Sequence, residues 1–142
     1  MVTLSLSGLR VLAVDDNRIN LLIAEKALKN QGARVTTAAD GQQALDALKA
    51  SPEDFDVVLM DIQMPVMDGL TATREIRRDP DLAALPVVGL SAGVLPEERE
   101  AALTAGMQDF LTKPITLETM TSTLLRVTGA KSRDPHPIGP PA

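Results

Sequence analysis

Apolar and polar positions along this 142-residue chain alternate between two periods. Short runs of strand-like composition, "RVLAV" (10–14), "ARVTTA" (33–38), "DVVLM" (56–60), "PVVGLS" (86–91) and "DFLTK" (109–113), predict five strands. Longer stretches between them carry helical spacing. Over 18–31 the apolar set is Ile19, Leu22, Ile23 and Ala27, and Gly32 is a natural stop. Over 42–50 the spacing turns Ala44, Leu45 and Leu48 inward. A helix over 70–78 can start from a cap at Asp68 and must end before Pro80; Asp68-Gly69 reads as turn and cap. The stretch 96–105 opens on Pro96 and two glutamates and stops at Gly106. The last helix, 116–127, sets Leu117, Met120, Leu124 and Val127 on one stripe.

Five strand–helix units in strict alternation predict an α/β fold, a single doubly wound, five-stranded parallel sheet with helices on both faces. The first, third and fourth strands are apolar on both faces and belong in its centre. The second, more polar, belongs at an edge. Residues 1–8 are expected to be an N-terminal extension and 9–128 the domain. The stretch "GAKSRDPHPIGPPA" (129–142), with four prolines and no periodicity, reads as a flexible tail or linker.

Composition narrows the picture. With 44% hydrophobic and 23% charged residues the chain suits one soluble domain with a real core. It has no apolar run of membrane-spanning length, and "MVTLSLSGLR" lacks the basic start of a signal peptide. The absence of cysteine excludes disulfides and thiolate metal sites and fits the cytoplasm. A net charge of -5 argues against non-specific contact with nucleic acid or anionic membrane, and two phenylalanines leave little for base stacking.

Chemistry gathers at the strand ends. Ligands of open α/β sheets bind beyond the carboxyl ends of the strands. There the sequence sets Asp15 and Asp16 after the first strand, Asp61 after the third, Ser91 at the fourth and Lys113 at the fifth. Three converging carboxylates repel: two like charges about 4 Å apart cost roughly 4 kcal/mol at an effective dielectric near 20. Hard oxygen ligands without Cys or His call for Mg²⁺, Mn²⁺ or Ca²⁺, and a Mg²⁺ held by few protein oxygens keeps positions open for phosphate. Lys113 adds a mobile charge and Ser91 a hydroxyl donor, the surroundings phosphoryl transfer needs. Asp61, between the acidic pair and the Ser/Lys side, is the candidate nucleophile, able to form an acyl phosphate.

With "VLAVDDNRIN", "LMDIQMPVMDG", "GLSAG" and "FLTKPI" in this order over about 9–127, the chain resembles the receiver domain of response regulators, and is most similar to receivers attached to hybrid sensor histidine kinases. The resemblance implies strand order 2-1-3-4-5 and a phosphoacceptor role in a two-component phosphorelay. It implies that Asp61 is phosphorylated, that Asp15 and Asp16 serve Mg²⁺ (Asp16 more directly), and that the backbone carbonyl of Gln63 is a further ligand. Ser91 and Lys113 would bind the phosphoryl group, with a cis peptide between Lys113 and Pro114. Phe110 falls at the position of an aromatic switch, so that the fourth helix, fifth strand and fifth helix would report the state. The implied partner is a histidine kinase or a histidine phosphotransfer domain, since no credible phosphohistidine is present; His136 lies among prolines. One departure is Gly89, where such receivers more often carry a larger residue, and Gly93 and Pro96 make the following loop unusual.

Three rivals share this chemistry or fold. A haloacid-dehalogenase type phosphatase wants a second Asp two residues after its nucleophile; Gln63 follows Asp61 and Asn17 follows Asp15. A flavodoxin-like binder would offer its first loop to a flavin phosphate, which Asp15-Asp16 repels. A non-phosphorylated docking scaffold would lack part of the acidic, hydroxyl and lysine set, and all of it is here.

Overall fold

The computed structural model describes residues 6–62, 67–91, 96–112 and 116–128. Five strands, β1 (Arg10–Val14), β2 (Arg34–Ala38), β3 (Val57–Asp61), β4 (Val87–Ser91) and β5 (Asp109–Thr112), alternate with five helices, α1 (Arg18–Asn30), α2 (Gly41–Ala50), α3 (Gly69–Arg78), α4 (Pro96–Ala105) and α5 (Leu117–Thr128). All neighbouring strands run parallel, in the order β2-β1-β3-β4-β5. The expected fold class is therefore the observed one.

Strand alternation divides the core into two layers. Leu12 and Val14 of β1, Val58 and Met60 of β3 and Val87 of β4 join Leu45, Leu48, Ala72, Ile76 and Ala102 on the face covered by α2, α3 and α4. Their neighbours Val11, Val57, Leu59, Val88 and Leu90 join Leu28, Met120 and Leu124 on the face covered by α1 and α5. Leu6, ahead of the expected boundary at residue 9, is buried in this second layer, and its N–H donates to the Gln31 carbonyl.

The helix ends follow local chemistry. Asn17, Asp40 and Asp68 each accept backbone N–H bonds as N-caps of α1, α2 and α3. Gly32 and Gly106, at φ 92° and 111°, take the left-handed conformation that stops α1 and α4. One expected face is turned outward. Ile19, Leu22 and Ile23 of α1 are exposed, and the helix anchors instead through Leu28. β3 also runs one residue further than its apolar stretch, so that Asp61 is its last residue rather than the first beyond it.

Away from the site, Arg77 at the end of α3 clasps two further segments. Its guanidinium donates to the carbonyls of Gly106, Ala83 and Leu85 and to Gln108 Oε1, at 2.6–3.1 Å. Burial pushes its pKa below the usual arginine range, since the charge is half withdrawn from water and held by neutral oxygens.

Candidate functional site

Sheet register brings the acids together. Val14 pairs with Met60, so the next step along each strand places Asp15 beside Asp61. Asp61 pairs in turn with Leu90, which puts Ser91 one step further along β4. Asp15, Asp61 and Ser91 are buried, whereas Asp16 is exposed at the rim. One carboxylate oxygen from each of Asp15, Asp16 and Asp61 lies within 4.8 Å of the other two. Among the described residues this is the group able to hold a metal ion.

The acids are held differently. Asp15 Oδ1 accepts the Asn17 N–H at 2.8 Å, and the Asn17 side chain then caps α1, so the turn into the helix orients Asp15. Asp61 is fixed by its backbone at the end of the central strand. Its carbonyl faces the start of α3: a Cβ on Gly69 would overlap the Asp61 carbonyl oxygen and lie 2.9 Å from Ile62 Cα. The Gly69 N–H donates to the Ile62 carbonyl at 2.9 Å, locking that close approach. Gly69 is thus more than the turn and cap residue its sequence context suggested. It lets the helix sit against the strand that carries Asp61.

Ser91 Oγ donates to Glu98 Oε1 at 3.2 Å, bringing a carboxylate from the first turn of α4 against the end of β4. No sequence motif pointed to Glu98; it stood only as a helix-start acid. Phe110 is half-buried against the layer under α2, α3 and α4, and its Cα partner across β4–β5 is Gly89. The small residue at 89 has a packing reason. A Cβ there would meet the Met107 sulfur at 2.5 Å, so a methionine from the next turn fills the space that a larger residue would take. Lys113, Pro114, Gln63 and Gly93 lie outside the described residues.

A buried pair of carboxylates joined by an exposed third, all oxygen donors, fits a hard divalent cation with open positions. Placed at the carboxyl end of a parallel sheet, such a site suits phosphate oxygens. Among the described residues no helix is long and apolar enough to cross a membrane.

Residues 11–125 match the sequence profile of the response regulator receiver domain. Sensor protein GacS of Pseudomonas syringae is 42% identical over 131 residues, which cover 90% of this chain and 14% of GacS. The two-component response regulator ORR41 of rice is 42% identical over 112 residues, covering 78% of this chain and 87% of that one. Among solved structures, the receiver domain of a Pseudomonas aeruginosa sensor histidine kinase superposes with a TM-score of 0.79 at 40% identity, covering 87% of this chain and 99% of that one. That domain holds a magnesium ion in its active-site cleft.

Proposed function

Because the chain belongs to the response-regulator receiver family, we propose that Asp61 is its phosphoacceptor and that it takes a phosphoryl group from the phosphohistidine of a histidine kinase or a histidine phosphotransfer domain. The observation that carries this reading is the triad of Asp15, Asp16 and Asp61 within 4.8 Å at the carboxyl end of the sheet. Of the three, only Asp61 lies on the central strand, with the acidic pair on one side and Ser91 on the other. Its carboxylate oxygen attacks phosphorus, the P–N bond to imidazole breaks, and an acyl phosphate forms. Asp15, Asp16, Asp61 and the Gln63 carbonyl would hold Mg²⁺, which would supply charge neutralisation for the transferring oxygens. Ser91 would donate its hydroxyl proton to a phosphoryl oxygen, and Lys113 would supply the cation. The phosphatase alternative has no support at position 63, where a glutamine stands.

Acetyl phosphate tests the reading without any partner. With Mg²⁺ the full chain is expected to gain one phosphoryl group, labile in base and not formed when the metal is chelated beforehand; an intact mass that never changes would refute it. The metal arm has its own variant. Asp16→Asn should weaken Mg²⁺ binding while leaving the metal-free fold at least as stable, because one of three crowded charges is gone. Thermal melts over a Mg²⁺ titration read both effects, since ligand binding raises the wild-type midpoint by mass action.

The switch follows from the same hydroxyl. Ser91 reaches a phosphoryl group on Asp61 only if the end of β4 moves inward, which frees space beside β5, where Phe110 packs. The hydroxyl and the ring then bias one equilibrium, and α4, β5 and α5 present its outcome to partners. Ser91→Ala is expected to blunt the NMR shifts that phosphorylation induces around Phe110 while uptake persists more slowly. Equal shifts in both proteins would break the coupling.

A further inference from the structure

Among the residues that open α4, 96, 97, 99 and 100 are exposed and Glu98 alone is turned half inward. It meets the hydroxyl of Ser91, a residue 1% exposed, across 3.2 Å. A serine hydroxyl has one proton and can donate it to one acceptor at a time. Glu98 offers it a carboxylate, and hydrogen bonds to ionised acceptors are the stronger kind. We propose that Glu98 is a latch: it holds the Ser91 hydroxyl away from the phosphoryl site, and phosphorylation must break that bond before α4 is released. The inference rests on the reading of Asp61 as phosphoacceptor.

The physical case has two parts. First, the phosphoryl oxygens and Glu98 Oε1 compete for a single proton, so the latched protein is a less competent acceptor. Second, an acyl phosphate brings about two negative charges to a crevice whose mouth holds the Glu98 carboxylate. Once Ser91 turns toward the phosphoryl group, Glu98 loses its donor and faces a like charge. Its departure carries the first turn of α4 with it. Glu98 is a positioning residue in this scheme, acting through Ser91 and touching no reacting atom.

Beryllofluoride with Mg²⁺, a stable mimic of the acyl phosphate, tests this on the full chain. If the latched form holds about nine-tenths of the population, Glu98→Ala should raise the apparent affinity about tenfold. Glu98→Gln keeps an acceptor oxygen without the charge and should give a smaller gain. Amide resonances of α4 in unliganded Glu98→Ala should lie part-way toward their positions in the wild-type complex. In a Ser91→Ala background the same substitution should gain much less, only what relief of the nearby charge supplies, which separates a latch from the mere removal of that charge. An unchanged affinity in Glu98→Ala, or an equal gain without the serine hydroxyl, overturns the latch while wild-type binding leaves the phosphoacceptor reading standing. A wild type that never binds beryllofluoride overturns both.

Discussion

Asp61→Asn is expected to reduce phosphoryl uptake to background under conditions where the wild-type chain is fully labelled. The substitution is close to isosteric, and Asp61 is 5% exposed, so no cavity opens and little packing is lost. What disappears is the nucleophile, since an amide oxygen does not form an acyl phosphate under these conditions. The same variant should be at least as stable as wild type without metal, because two of three carboxylates within 4.8 Å remain in place of three. Its stabilisation by Mg²⁺ should shrink. Intact-mass spectra and thermal melts on one preparation give both readouts. An adduct that persists on the asparagine variant would move the acceptor to another carboxylate.

Gly69→Ala should be the most damaging small change in the domain. The added methyl meets backbone, the Asp61 carbonyl and Ile62 Cα, rather than the yielding tip of a side chain. α3 cannot slide away without stretching the bond from the Gly69 N–H to the Ile62 carbonyl. Overpacking of this kind costs about 1–3 kcal/mol, which urea unfolding would show as a lower midpoint at constant slope. Function should suffer more than stability, since the strand residue displaced is Asp61 itself. A misplacement of about 1 Å can cost about a hundredfold in rate. Wild-type stability together with a wild-type rate of labelling by acetyl phosphate would show that the contact is not tight.

Both variants bear on what the sequence could disclose. Element order and a parallel sheet with β2 at an edge were legible because apolar runs of strand length alternate with helical spacing, and Gly32, Asp68 and Gly106 punctuate them with known backbone chemistry, whereas the full strand order came from the family resemblance. The three acids were legible because a buried strand that ends on a carboxylate is costly unless the carboxylate has work. Contacts set by tertiary approach left no local trace. Gly69 looks like any glycine after a capping aspartate, and its role depends on how closely α3 meets β3. Glu98 looks like any acid in a first helical turn until Ser91 is placed opposite it. Asp61 was expected just past its strand because side-chain polarity changes at Met60, but ladder pairing is a backbone matter and continues one residue further. The outward face of α1 defeats periodicity for a different reason. A helical stripe records that one side is apolar, without recording whether that side meets the sheet or the solvent.

The Arg77 clasp makes α4 a lever with a fixed fulcrum. Two guanidinium nitrogens grip the Gly106 carbonyl just beyond the helix, while its opposite end meets the strand tips through the Glu98–Ser91 bond. Ten residues make a rod about 15 Å long. Pivoting about the gripped end by about 10° therefore sweeps the far end through roughly 2.5 Å. The ends of α4 would thus travel unequally: a shift at the Glu98 end diminishes along the rod and fades toward the turn into β5, which Arg77 grips.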